Sequence, residues 1–413
     1  MTTANLPRSR GVYHVDVVNR PPRTADLVVV GAGAVGAACA YFAARAGLQV
    51  VVVDRGPVAG GTSSAGEGNL LLSDKEPGPE LELALLSHRV WTEDLAEHGR
   101  HWEYEAKGGL VVSDAAAGQE ALEGFAVHQR GAGIEALVVG ADELPAYEPH
   151  LTRDLAGGVF YPQDAQVQPM LLTAHLLRLA RGLGAEVRTG SAVTGFLRDG
   201  DRVTGVRTAA GDVSAPAVLN AAGTWSGEVA RMAGVHLPVL PRRGFVLVTQ
   251  PLPPLVHHKV YGASYVADVA SSDEALQTSP VVEGTPSGTV LVGASRERVG
   301  FDRTSSLPVL ARLAAAAAAL FPVLREASLI RAYAGFRPYC PDHLPVVGPD
   351  PRAPGLWHAC GHEGAGIGLS VGTGSLLAQA LTGERPALDL HPFRPERFDV
   401  AATPAAEELA GAR

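Results

Sequence analysis

Cysteine is scarce in this 413-residue chain. Its three cysteines, Cys39, Cys340 and Cys360, form no CxxC pair, so the sequence supports no disulfide framework and no self-contained zinc or iron–sulfur site. No metal ligand set is therefore expected, and a reducing, cytoplasmic setting fits this cysteine usage best. Positive charge is also in deficit. Lys+Arg number 34 against 43 Asp+Glu, a net charge of −9, which argues against a nucleic-acid surface. The N-terminal residues carry Arg8, Arg10, Arg20 and Arg23 without an apolar stretch of signal-peptide length, and Pro21-Pro22 interrupts them; they read as an unexported arm. Residues 27–44 are uncharged and near membrane-spanning length, but their glycines fall at spacings with another meaning, so no membrane span is expected. No Ser/His/Asp elbow, HExxH or Walker sequence appears, which leaves hydrolase and kinase readings without a motif.

The first positive signal is Leu27-Val28-Val29-Val30, a short β-rich run. It leads into Gly31-Ala32-Gly33-Ala34-Val35-Gly36, a helical stretch over 37–46, then a second β-rich run ending at Asp54. This is a strand, turn, helix, strand unit of the dinucleotide-binding kind. Gly31 permits the tight turn, Gly33 lets backbone approach a pyrophosphate, and Gly36 allows the helix to pack closely on the strand. The helix N-terminus offers N–H groups to phosphate, and Asp54 is positioned to accept ribose hydroxyls. The unit alone does not separate NAD from FAD. Directly after it comes a second small-residue loop, Gly60-Gly61-Thr62-Ser63-Ser64-Ala65-Gly66-Glu67-Gly68-Asn69, whose backbone could pass beneath a flat ring or simply be a surface loop.

Further along, residues 171–181 read as a helix, with strands expected at 185–188, 191–193, 203–207 and 217–220 before Ala221-Ala222-Gly223-Thr224-Trp225-Ser226. Alternating runs at 244–249, 259–269, 289–299 and 329–336 predict an antiparallel sheet, with an Ala-rich helix around 314–319 packed on it. Near the C-terminus a strand-like 356–359 leads into Gly361-His362-Glu363-Gly364-Ala365-Gly366-Ile367-Gly368, a glycine-rich helix start. Its partial positive charge would favour the negative charge that collects on a reduced flavin. Two such helix starts at opposite ends of one chain suit a long cofactor such as FAD.

Taken together, Gly31-Ala32-Gly33-Ala34-Val35-Gly36 with Asp54, Asn220-Ala221-Ala222-Gly223-Thr224-Trp225-Ser226, Gly335-Phe336-Arg337-Pro338 with Pro341-Asp342, and Gly361-His362-Glu363-Gly364 resemble the D-amino acid oxidase, glycine oxidase and sarcosine oxidase family of FAD enzymes. The likeness runs from Leu27 to about Phe398. Gly66-Glu67-Gly68-Asn69, the segment 160–165 and the segment 295–302 make the chain more similar to FAD subunits of multi-subunit opine oxidases and hydroxyproline dehydrogenases. The resemblance implies an α/β fold: a Rossmann-like, glutathione-reductase-like FAD-binding domain from 26–100, 160–235 and 330–398. It also implies an α+β substrate domain on an antiparallel sheet from 101–159 and 236–329, between an arm (1–25) and a tail (399–413).

Cofactor contacts are expected at Gly31, Gly33, Ala34, Val35, Gly36, Asp54, Arg55, Gly61, Thr62, Ser63, Gly66, Gly68, Asn69, Leu70 and Val193. They are expected also at Ala222, Gly223, Trp225, Gly335, Gly361, His362, Glu363, Gly364, Gly366 and Ile367. The resemblance makes Arg337 the anchor of a substrate carboxylate, for which a fixed, always-charged fork is suited; an ion pair with Asp342 is the structural alternative. Where monomeric sarcosine oxidase carries a flavin-linking cysteine this chain has Arg337, with Cys340 three residues on, so FAD is expected to be noncovalent.

His362 could border the flavin or merely bond locally, and Tyr261 or Tyr265 could close the substrate pocket or pack in a core. Glu67 could bind a cationic substrate or pair with an arginine, and Arg242-Arg243 could steer anions or form salt bridges. The activity implied is oxidation of a small carboxylate-bearing amine or amino acid. A hydride passes from the carbon bearing nitrogen to flavin N5, and the imine is hydrolysed afterwards. Electrons go to oxygen or, as in the multi-subunit relatives, to small electron-transfer subunits. The rival readings are an NAD-dependent dehydrogenase and a noncatalytic flavoprotein subunit.

Overall fold

The computed structural model describes residues 23–265 and 271–398. Most of the expected arm, the tail and the end of the expected 259–269 strand lie outside the described residues. Two valine-rich strands explain the centre of the fold. Leu27–Val30 and Val50–Val53 are buried at every residue, the pattern of parallel strands covered on both faces. Leu27, Val29, Val50 and Val52 join one apolar core, while Val28, Val30, Val51 and Val53 join another on the opposite face. These strands belong to a six-stranded sheet in the order Val346–Pro349, Leu356–Cys360, Ala217–Asn220, Leu27–Val30, Val50–Val53, Glu186–Arg188. All neighbours are parallel except the first pair.

The uncharged run at 27–44 is accounted for by this layer. After the strand, helix Ala34–Arg45 starts at Gly33 and is apolar almost all round because it is packed on every side. Helices Pro169–Gly182 and Gly366–Leu381 cover it. At the second crossing, a Cβ on Gly374 would come within 2.8 Å of the Ala38 carbonyl carbon, so glycine sets how near the two helices lie. No described helix is long and apolar enough to cross a membrane.

An eight-stranded sheet forms the second layer, in the order Leu329–Tyr339, Leu240–Thr249, Val290–Arg296, Gln277–Gly284, Lys259–Gly262, Gly109–Ser113, Gly157–Tyr161, Leu137–Gly140. It is antiparallel apart from the pairing of Lys259–Gly262 with Gly109–Ser113. The Ala-rich helix, Leu307–Leu320, packs on its strands through Val309, Leu313, Ala317 and Leu320. Sheet membership differs from the expected segment boundaries at two points. Leu329–Tyr339 pairs along its length with Leu240–Thr249, as its alternating run at 329–336 predicts, although the expected domain bounds placed it almost wholly in the nucleotide domain, and Gly157–Tyr161 lies between two strands of the same sheet. Backbone hydrogen bonding thus carries Arg337 on the second layer. A strand missed in the sequence, Gln277–Gly284, contains Pro280, which lies at a register shift where the ladder needs no N–H.

Gly374→Ala is expected to push the two crossing helices apart and to destabilise the fold by about 1–3 kcal/mol in denaturant unfolding. An unchanged midpoint would mean that this crossing is not tight.

Candidate functional site

Three parallel strands end side by side, and each is followed by small residues. Leu27–Val30 gives way to Gly31, Ala217–Asn220 to Ala221-Ala222-Gly223, and Leu356–Cys360 to Gly361. Their carboxyl ends open on a cavity of about 430 Å³ that runs between the starts of helices Ala34–Arg45 and Gly366–Leu381. Ligands in open α/β sheets bind at such carboxyl edges. Gly31 has φ +118°, and a Cβ there would lie 2.3 Å from the Ala221 carbonyl oxygen.

Most of the expected cofactor residues line this one cavity: Gly31, Gly33, Ala34, Val35, Asp54, Arg55, Gly61, Thr62, Ser63, Gly66, Gly68, Asn69, Val193, Ala222, Gly223 and Trp225. The C-terminal set Gly335, Gly361, His362, Glu363, Gly364, Gly366 and Ile367 lines it as well. Two expected contacts do not reach it. Gly36 is a packing glycine whose Cβ would meet the Gly31 carbonyl oxygen at 2.0 Å, and Leu70 lines a smaller adjoining pocket together with Tyr265. Asp54 accepts the Ala32 and Gly56 N–H groups, at 2.7 Å each. Thr62 donates to the Phe336 carbonyl at 2.6 Å, tying the second small-residue loop to the Arg337 strand.

At the far end Arg337 enters the cavity wall from the second layer. Its guanidinium lies across Gly244, where a Cβ would approach Nη1 to 2.2 Å, and donates to the Ser295 carbonyl at 2.8 Å. Among the described residues it has no ion-pair partner. The alternative partner, Asp342, is bound instead by Arg397 at 2.6 Å. Burial lowers the Arg337 pKa from its ordinary value, and nearby Arg296 lowers it further. Gly244, Ser295 and Arg296 were missed in the sequence because their roles arise only across strands.

Arg242 and Arg243 are salt-bridged. Arg242 pairs with Glu363 at 2.6 Å, and Arg243 pairs with Glu297 and Asp302. Glu67 lines the cavity with Oε1 buried and unpartnered, and burial raises its carboxyl above the usual range against the pull of Lys259. Lys259 itself is held by Glu283.

Tyr265 is buried, lines the cavity, and lies beneath the Arg296 guanidinium at 4.5 Å; burial raises its phenol. Tyr261 is a core residue, its hydroxyl engaged with Ser73. The His362 ring is bonded to Thr373 Oγ1 at 3.0 Å, and burial pushes its pKa down to about 3, so the imidazole is neutral.

FAD fits these walls on two grounds. Small residues Gly31, Gly33 and Ala34 line it at one helix start, and the unpartnered buried oxygens of Glu67 and Asn69 belong to residues that line it at the other end. Cys340 does not line the cavity, and burial raises its thiol; Cys360 does line it, but its thiol is pushed up to about 12. Neither is a ready nucleophile.

His362 has a folded pKa below its unfolded value. Its contribution to stability is therefore complete above about pH 6.5 and is lost as pH falls toward 3. His362→Asn should lessen the fall in unfolding midpoint between pH 7 and pH 4. Parallel wild-type and variant profiles would mean that the ring is not held neutral.

The family model described as FAD dependent oxidoreductase matches residues 26–380. Glycine oxidase of Pseudomonas aeruginosa is 32% identical, over 89% of this chain and 98% of its own. Hydrogen cyanide synthase subunit HcnC of the same organism is 31% identical, over 91% and 97%. Among solved structures, glycine oxidase from Geobacillus kaustophilus superposes with a TM-score of 0.83 at 27% identity, covering 91% of this chain and 99% of that one. The strand ends, the glycine-rich turns and these matches lead to one conclusion: the chain belongs to the family of FAD-dependent oxidoreductases that includes glycine oxidase.

Proposed function

We propose that the chain oxidises a small amine or amino acid bearing a carboxylate, with FAD held noncovalently along the cavity. Support for amine or amino acid oxidation comes from relatives named glycine oxidase and from human mitochondrial sarcosine dehydrogenase, which is 28% identical over 93% of this chain and 43% of its own. The observation that carries the reading is Arg337, a half-buried guanidinium in the cavity wall that makes no short ion pair among the described residues.

A substrate carboxylate supplies that missing charge in a bidentate pair. Gly244 keeps the guanidinium against the sheet, and its bond to Ser295 leaves further donors for the ligand. Glu67 Oε1 can accept an N–H of the substrate nitrogen. Gly31, Gly33 and Asp54 would hold the nucleotide portion of the cofactor, and the N-terminus of Gly366–Leu381 would stabilise negative charge on it. FAD, when bound, takes up the hydride from the carbon next to nitrogen. Tyr265 and Phe336 close the pocket wall and exclude water. The division into an FAD-binding and a substrate domain belongs to the same proposal, with Leu329–Tyr339 and Gly157–Tyr161 moved to the sheet of the substrate domain.

One observation favours a particular electron route. The HcnC relatives are named as subunits of hydrogen cyanide synthase, so a partner subunit rather than oxygen is the proposed electron acceptor.

Arg337→Ala is expected to raise KM for a carboxylate-bearing amine by several tens-fold or more, about 2–4 kcal/mol, with flavin content unchanged and only partial recovery in Arg337→Lys. An unchanged KM in flavin-loaded Arg337→Ala would remove Arg337 from the site. Substrate-reduced enzyme should reoxidise slowly in air and rapidly with an artificial acceptor; fast reoxidation in air would make it an oxidase.

A further inference from the structure

We propose that His98, His101 and His175 bind a borderline transition-metal dication of the Zn²⁺, Ni²⁺ or Cu²⁺ class at a site separate from the flavin cavity. Each of these histidines offers a ring nitrogen, and the three nitrogens lie within 4.8 Å of one another. None of the three lines the flavin cavity.

The arrangement follows from two packed elements. His98 and His101 stand three residues apart on the 3₁₀-helix Ala96–Trp102, where residues at that spacing eclipse one another. His175 comes from helix Pro169–Gly182, which packs against that turn, and is itself buried. The His101 and His175 rings stack with centroids 4.3 Å apart. Trp102, fully buried, touches the His98 and His175 rings at 5.9 and 5.4 Å and fixes the backbone from which they project.

Three imidazoles suit zinc, nickel or copper rather than magnesium or calcium. Burial and the Arg178 charge push the His175 pKa down to about 4. Metal–nitrogen bonds of about 2.0–2.1 Å put tetrahedral ligand nitrogens about 3.3 Å apart, so the site closes by rotation of the His98 and His101 side chains. A fourth position is left for water. The Glu97 carboxylate, 3.6 Å from His98 Nε2, adds negative charge beside the site.

One group opposes the metal. Arg178 Nη2 sits 3.2 Å from His175 Nδ1 and 3.3 Å from Nε2. Arg178 is an exposed side chain that must swing into solvent when a dication binds. Its removal should therefore strengthen binding, whereas an arginine that merely props up the histidines would weaken binding when removed.

The test uses FAD-loaded protein freed of metal by chelation and dialysis. Calorimetric titration with Zn²⁺ should give one equivalent bound, and Cu²⁺ should quench tryptophan fluorescence because Trp102 touches two of the ligands. His98→Gln/His101→Gln should weaken Zn²⁺ binding by about 100-fold. Arg178→Gln should tighten it several-fold, and Mg²⁺ should give no signal. Zn²⁺ should raise the unfolding midpoint of the wild type and not of the double variant. Equal Zn²⁺ affinity in wild type and double variant would overturn the proposal. Should the double variant fail to fold, His101→Gln alone replaces it, and unchanged affinity there overturns the proposal equally.

Discussion

Everything at the site depends on two helix N-termini being brought to bear on one cavity. Ala34–Arg45 and Gly366–Leu381 follow strands that flank Ala217–Asn220 in the same parallel sheet, so their positive ends open on the same side. Their crossing is close only because Gly374 has no side chain to place against Ala38. Like ends of helix dipoles facing one space are unfavourable until anionic groups enter it. A diphosphate at one end and a negatively charged ring at the other would satisfy both, so the fold suits a long anionic cofactor before any side chain is considered.

Side-chain charge repeats this logic on the second layer. The face of the eight-stranded sheet turned toward the cavity carries Arg242, Arg296 and Arg337, but only Arg242 has a short ion pair among the described residues, with Glu363. Buried charge without a partner is costly. Here the imbalance is confined to Arg337 and its neighbour Arg296, beside Glu67, whose own carboxyl burial raises. Such an uncompensated site is what the proposed zwitterionic substrate would complete. Arg242 meanwhile joins the sheet to the glycine-rich segment after Cys360, so the strand of the proposed substrate anchor and the cavity wall are held in one frame.

Local pattern carried the nucleotide half of the fold, because its signals lie close together along the chain. The valine runs, the glycine spacing and Asp54 fall within residues 27–54 and have a physical meaning at their own positions. The second layer was harder to read. Pro280 disguised the Gln277–Gly284 strand, and although the alternation over 329–336 marked a strand of the antiparallel sheet, the domain bounds drawn around Arg337 followed its neighbours in sequence instead. Gly244 and Ser295 act on Arg337 only through cross-strand contact, and Asp342 finds its partner 55 residues away in Arg397. The histidine trio likewise joins residues from 98 to 175, a separation at which spacing carries no metal signature.

The central claim is that a carboxylate on the substrate is what Arg337 waits for. Anaerobic titration of the FAD-loaded protein with matched amines tests it most directly: glycine against methylamine, sarcosine against dimethylamine, proline against pyrrolidine. The account predicts that at least one carboxylate-bearing member bleaches the oxidised flavin's visible absorption while its decarboxylated counterpart leaves it intact. Equal bleaching by both members of a pair, or by the decarboxylated amine alone, would contradict it.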